Sequence, residues 1–118
     1  MKKLTTFFAL LLIIGSTRVL AWTGSGTIGA PYQITTPAEL ATLATNVNAG
    51  TAYGGIYFKL MNDLSLSGYP DWNPIGNGLS QFFKGVFDGN YKKITSLSIN
   101  NVTRTYYGLF GNMGQVAK

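Results

Sequence analysis

The sequence predicts a mainly β chain, a short parallel solenoid of about three coils with a single helix closing one end. Three observations carry this. A Gly-aliphatic-aromatic element recurs at Gly55-Ile56-Tyr57, Gly85-Val86-Phe87 and Gly108-Leu109-Phe110, at spacings of 30 and 23 residues. Spacings of 20 to 50 residues are typical of repeat architectures. From Gly55 onward the apolar residues recur with period 2 in short runs broken by Gly, Asn and Pro, the pattern of brief strands and tight turns. After the N-terminal apolar stretch, only residues 36–48 show the 3.6 period of a helix.

Residues 1–21 read as an export signal. Lys2 and Lys3 form a basic start, Phe7 to Ile14 is an unbroken apolar run, and Val19-Leu20-Ala21 offers a cleavage site after Ala21. The apolar run is too short for a membrane span, which needs about 20 residues. A short anchor or a buried helix is the competing reading. Cleavage makes Trp22 the first residue of the mature protein, and no Cys lies nearby to carry a lipid.

The precursor carries a net charge of +5, but Lys2, Lys3 and Arg18 leave with the signal. The remaining six basic residues, set against Glu39, Asp63, Asp71 and Asp88, leave +2. No basic cluster larger than Lys92-Lys93 survives, so nucleic acid is not an expected partner. The chain has no Cys, so packing and backbone hydrogen bonds must hold it without disulfides.

Residues 22–50 are expected to form an N-terminal cap. Residues 22–31 are Gly-rich, and Trp22 should fold back onto the first apolar surface rather than stay in water. Tyr32-Gln33-Ile34 is a brief strand. Thr36, Pro37 and Glu39 then make a capping box, in which the Thr36 hydroxyl and the Glu39 carboxylate satisfy orphaned backbone N–H groups. Leu40, Leu43, Ala44 and Val47 place one apolar stripe along the helix, and Gly50 supplies a left-handed stop. So short a helix needs a surface to cover, and the open end of the stack provides one.

Residues 51–118 are expected to be the coils, in an array cut short at its C-terminal end. Residues 56–60 and 64–66 are short strands. Residues 69–81 interrupt the pattern with turn residues around Trp72, and residues 85–100 repeat the strand-turn-strand unit. Residues 106–111 begin a further strand. Such units cannot bury their apolar faces alone, and stacking them in parallel buries a continuous column. Ser65, Thr95, Ser96 and Ser98 suit outward positions, and Asn62, Asn90, Asn100 and Asn101 suit corners. A β-meander or small sandwich is the competing architecture. Asp88-Gly89 offers hairpin chemistry, but little apolar alternation follows it.

Several segments together resemble bacterial surface proteins that carry GLUG-type repeats. They are Tyr32 to Leu40, Tyr57-Phe58-Lys59-Leu60 with Asn62-Asp63-Leu64, Trp72 with Pro74-Ile75-Gly76, Phe87-Asp88-Gly89-Asn90, and Tyr107 to Gly111. Similar modules occur in the N-terminal regions of some immunoglobulin A proteases and adhesin-like proteins. The resemblance implies a right-handed parallel β-helix of the pectate-lyase-like kind with an N-terminal capping helix. One departure is that Tyr91 and Lys92 stand where Gly and His are common.

The absence of His and Cys removes Ser-His-Asp triads, thiol nucleophiles and His-based zinc sites. Asp63, Asp71 and Asp88, with Lys92 or Arg104, are the remaining acid/base candidates. Turn chemistry accounts for Asp63 and Asp88. Four dispersed acids without Asp-x-Asp spacing do not make a calcium site. No catalytic, metal or cofactor site is therefore expected. Tyr69, Trp72, Tyr106 and Tyr107 could offer flat rings to a sugar, although the turn around Trp72 equally suits internal packing.

The expected function is that of a secreted or cell-surface, non-catalytic, adhesin-like module binding or presenting extracellular ligands. Expected partners are a carbohydrate or a host or matrix protein, together with edge-strand association at the open C-terminal end. The alternatives are the N-terminal fragment of a larger secreted enzyme, whether polysaccharide-active or a surface metalloprotease, and a small carbohydrate-binding module centred on Trp72.

Overall fold

A computed structural model describes residues 22–114. The expected export segment lies outside these residues. Within them the chain runs β1 (Tyr32–Ile34), α1 (Pro37–Asn48), β2 (Tyr57–Leu60), β3 (Leu64–Ser65), β4 (Val86–Asp88) and β5 (Ile94–Thr95).

The helix forms where its caps permit. The Thr36 hydroxyl accepts from Glu39 N at 3.1 Å, and the Glu39 carboxylate accepts from Thr36 N at 3.2 Å and Thr35 N at 2.7 Å. At the other end Gly50, with φ +117°, turns the chain so that Gly50 N reaches Val47 O and Thr51 N reaches Asn46 O. This pair of bonds is a Schellman stop. Leu40, Leu43, Ala44 and Val47 are the buried stripe.

All the paired strands are parallel. β2 lies between β1 and β4, with Tyr32, Gln33 and Ile34 against Phe58, Lys59 and Leu60, and Tyr57, Phe58 and Lys59 against Val86, Phe87 and Asp88. β3 and β5 form a second parallel pair, Leu64 with Ile94 and Ser65 with Thr95. A third line of contact runs alongside, with a parallel bridge between Ile75 and Phe110 and a bond from Trp72 N to Ser98 O at 2.8 Å. Parallel strands need long crossovers, so a hairpin-built meander does not describe these pairings.

The pairing register differs from the sequence echo. Aligning Gly55-Ile56-Tyr57 on Gly85-Val86-Phe87 would set Tyr57 against Phe87, but Phe58 takes that place. The reason is the period of 2: Phe58 is 1% exposed and points inward, and a one-residue slip would turn it outward. The third echo also lies elsewhere. The Phe110 backbone bridges Ile75 and not β4, so residues 108–111 belong beside the 74–76 turn, not to a new first strand.

Aromatic rings run through the core. Trp22 packs edge-on against Phe58 at 5.1 Å, Phe58 meets Phe83 at 6.0 Å, and Phe110 lies 5.5 Å from Phe83 and 5.3 Å from Phe87. Trp22 thus folds back as its apolar bulk requires, and its Nε1 donates to Glu39 O at 3.4 Å. Thr23 bridges Gln33 in antiparallel sense, which covers the outer edge of β1. Gly85 is small by necessity, since a Cβ there would lie 2.9 Å from both Ile56 O and Tyr53 O.

Asn side chains fasten together segments that lie 27 to 30 residues apart in the chain. Asn62 Nδ2 donates to Thr35 O at 2.9 Å, Asn90 Nδ2 to Leu60 O at 3.0 Å, and Asn100 Nδ2 to Pro70 O at 2.9 Å. In the first two, the Asn lies one residue beyond the position opposite the carbonyl it takes. Ser65, Thr95, Ser96 and Ser98 are all exposed.

Candidate functional site

The structure separates the four aromatic candidates. Tyr69 and Trp72 lie together, with ring centroids 6.0 Å apart and planes at 83°. Tyr106 is half-buried and Tyr107 is 52% exposed, and neither lines the space beside Trp72. The Trp72 ring is 3% exposed, and its Nε1 donates to Leu109 O at 3.1 Å. It therefore acts as a fixed wall and offers no flat face to solvent.

The space beside that wall is a cleft of about 410 Å³ between α1 and the loop of residues 68–73. The helix contributes Ala41, Ala44, Thr45 and Asn48. Ala at positions 41 and 44 leaves room that a larger residue would fill. The loop contributes Tyr69, Pro70, Asp71, Trp72 and Asn73, opening at Gly68.

Long-range hydrogen bonds hold both sides of the cleft. Asn48 Oδ1 accepts from Gly76 N and Asn77 N, both at 2.9 Å, and its Nδ2 donates to Pro74 O at 2.9 Å. One side chain at the end of α1 thus satisfies three backbone groups of the turn after Trp72. Gly76 there has φ +86°, and a Cβ would collide with Asn112 O.

Asp71 is held more firmly still. Its Oδ1 accepts from Asn100 N at 3.0 Å, Asn101 N at 3.1 Å and Arg104 Nη1 at 2.8 Å, and its Oδ2 accepts from Arg104 Nη2 at 3.3 Å. Arg104 Nη1 also donates to Trp72 O at 2.7 Å. Desolvation pushes the Asp71 carboxyl upward, but the two backbone N–H groups and the Arg104 charge and hydrogen bond outweigh it. Its pKa therefore lies below the ordinary value of 3.8. A carboxylate so stabilised is a poor proton donor at neutral pH.

The other carboxylates are also engaged. Asp63 Oδ1 accepts from Lys93 N at 2.8 Å, and Asp88 Oδ1 accepts from Asn90 N at 2.8 Å. Asp88 serves its own turn, whereas Asp63 ties its corner to a segment 30 residues on. No group of three or more His, Cys, Asp or Glu residues suited to a metal ion occurs among the described residues.

Sequence reasoning found Tyr69, Trp72 and Asp71 in one loop but missed the facing wall. Nothing local marks Ala41, Thr45 or Asn48 as partners of residues 68–73, because they meet only through the packing of α1. Arg104 was singled out only as a candidate acid/base partner of an Asp. Its role depends on a reach of 33 residues to Asp71.

No family model matches the chain, and no solved structure matches it significantly. It is 35% identical over 97 residues, 78% of its length, to a protein of Evansella cellulosilytica named as a Gly-rich membrane protein. It is 29% identical over 107 residues, 85% of its length, to a protein of Haloquadratum walsbyi named halomucin. The matched segment is 10% of the first relative and 1% of the second, so the chain spans only a small part of either. Among the described residues no helix is long and apolar enough to cross a membrane.

Proposed function

We propose that this chain is an exported, non-catalytic module of an adhesin-like surface or secreted protein, built as a short right-handed parallel β-helix, which binds or presents extracellular ligands. The observation that carries the reading is the similarity of 78% of the chain to a tenth of a Gly-rich membrane protein. A segment that recurs as a small fraction of a much longer chain behaves as a module. The parallel pairing of β1, β2 and β4 and the Asn-linked corners support the architecture, and the resemblance to GLUG-type repeat proteins points the same way. The engagement of Asp63, Asp71 and Asp88 in backbone capping or ion pairing supports a binding role over an acid/base one.

The test is to express the full chain with a C-terminal tag in a bacterial host, fractionate the cells and sequence the N-terminus of the product. Recovery outside the cytoplasm with Trp22 as the first residue is expected. A product held in the cytoplasm with residues 1–21 intact overturns the reading. A second reading, a carbohydrate-binding module, is favoured by one observation: the half-buried Tyr69 lines an open cleft whose wall is the buried Trp72.

A further inference from the structure

We propose that the cleft between α1 and residues 68–73 binds a neutral sugar ring of an extracellular glycan. This rests on the ligand-binding reading above and names the ligand class and the residues. A volume of about 410 Å³ falls within the range of small-ligand sites, roughly 300 to 1,000 Å³.

Charge decides against an ionic ligand. The one charged side chain lining the cleft is Asp71, which Arg104 and two backbone N–H groups already neutralise. No Lys lines the cleft, so an acidic sugar or a phosphate would meet no free cation there. A cationic ligand would have to compete with Arg104 for a carboxylate bound through both oxygens.

The walls match an amphipathic ring. Ala41, Ala44, Pro70 and the Tyr69 ring give an apolar surface, against which the C–H face of a pyranose packs. Around it are polar groups with unused capacity. Tyr69 Oη and Asn73 Nδ2 have no hydrogen-bond partner among the described residues, while Thr45 Oγ1 donates to Ala41 O and keeps lone pairs free. A purely hydrocarbon ligand would leave these groups dry and unpaired. A ring with hydroxyls at its rim can pair with them.

The cleft is also held in shape before any ligand arrives. Asn48 fixes the helix end to the turn after Trp72, and the Asp71–Arg104 pair fixes the opposite lip. Preorganisation of this kind lowers the ordering cost of binding.

The test uses the exported protein and the methyl glycosides of glucose, galactose, mannose and N-acetylglucosamine, with galacturonate as an acidic probe. Binding is followed by calorimetry and by NMR shifts of the Trp72 indole and nearby amides. At least one neutral glycoside should bind. Asn73→Ala, which removes an exposed polar group, and Ala41→Leu, which fills the cleft from the helix, should each weaken it at least tenfold without changing the melting temperature. Tyr107→Ala, outside the cleft, should bind as the parent does. Loss in Tyr107→Ala with the cleft variants unaffected overturns the site. A preference for galacturonate overturns the neutral class. An exported protein that binds none of the probes overturns the sugar site while leaving the surface role standing, whereas cytoplasmic retention overturns the surface role alone.

Discussion

Arg104 and Asp71 lie 33 residues apart in the chain, yet their side chains meet at 2.8 Å, and the same guanidinium nitrogen holds the Trp72 carbonyl at 2.7 Å. The pair lies at the lip of the cleft and joins the loop before Trp72 to the loop after β5. Arg104 is 19% exposed at its side chain and Asp71 42%, so the surrounding water weakens the attraction without abolishing it.

Because the folded carboxyl of Asp71 titrates below its ordinary value of 3.8, its contribution to stability is complete above that pH. It is lost as the pH falls from about 3.8 through the lower folded value, where the proton must displace the backbone and Arg104 contacts. Melting temperatures of the parent and Asp71→Asn, measured from pH 7 down to pH 2, should differ most at neutral pH and converge in acid. A constant difference across the range would show that Asp71 ionisation is not the source.

Replacing Trp72 with Ala should cost about 3 to 5 kcal/mol in a denaturant titration. The ring is 3% exposed, packs edge-on with Tyr69 and donates to Leu109 O, so truncation opens a cavity and leaves that carbonyl with only its bond from Ile75 N. A loss below about 1 kcal/mol would mean that the ring is dispensable to the core.

Asn48→Ala should cost about 2 kcal/mol or more, since it strands two N–H groups and a carbonyl in the turn after Trp72. Hydrogen exchange provides the local readout. Gly76 and Asn77 amides should lose protection before those of β2.

Tyr91 works in the opposite direction. It holds φ +57° with its side chain fully exposed, so it bears the strain of a left-handed conformation without burial to offset it. Tyr91→Gly should stabilise the protein by about 0.5 kcal/mol, the relief of strain exceeding the extra freedom of Gly in the unfolded chain. Destabilisation would point to a contact made by the ring.

Much of the local structure was legible. The capping box at Thr36 and Glu39, the Gly50 stop and the apolar stripe of α1 depend on neighbours within one or two turns, and they occur where the residues place them. The inward fold of Trp22 followed from the cost of leaving an indole in water. The repeat of Gly-aliphatic-aromatic elements was also legible, but its register was not. Sequence similarity aligned Tyr57 with Phe87, while burial of Phe58 required the neighbouring alignment.

The cleft was half legible. Tyr69, Asp71 and Trp72 lie in one turn-rich interruption that local composition exposes. Ala41, Thr45 and Asn48 lie on the helix face beside the buried stripe, where small and polar residues read as solvent-facing.

By itself the sequence determined the helix and its ends, the brevity of the strands, the turn positions and the supply of inward aromatics, because each rests on backbone preferences or on the transfer of a side chain from water. Only the tertiary structure decided which aromatic faces which, that the Phe110 backbone bridges Ile75 rather than β4, and that Asn48 and Arg104 clasp the two sides of the loop around Trp72. The Asn48–Gly76, Arg104–Asp71 and Ile75–Phe110 contacts span 28 to 35 residues, and their partners are chosen by packing and by the hydrogen bonds that buried backbone must find, not by adjacent residues.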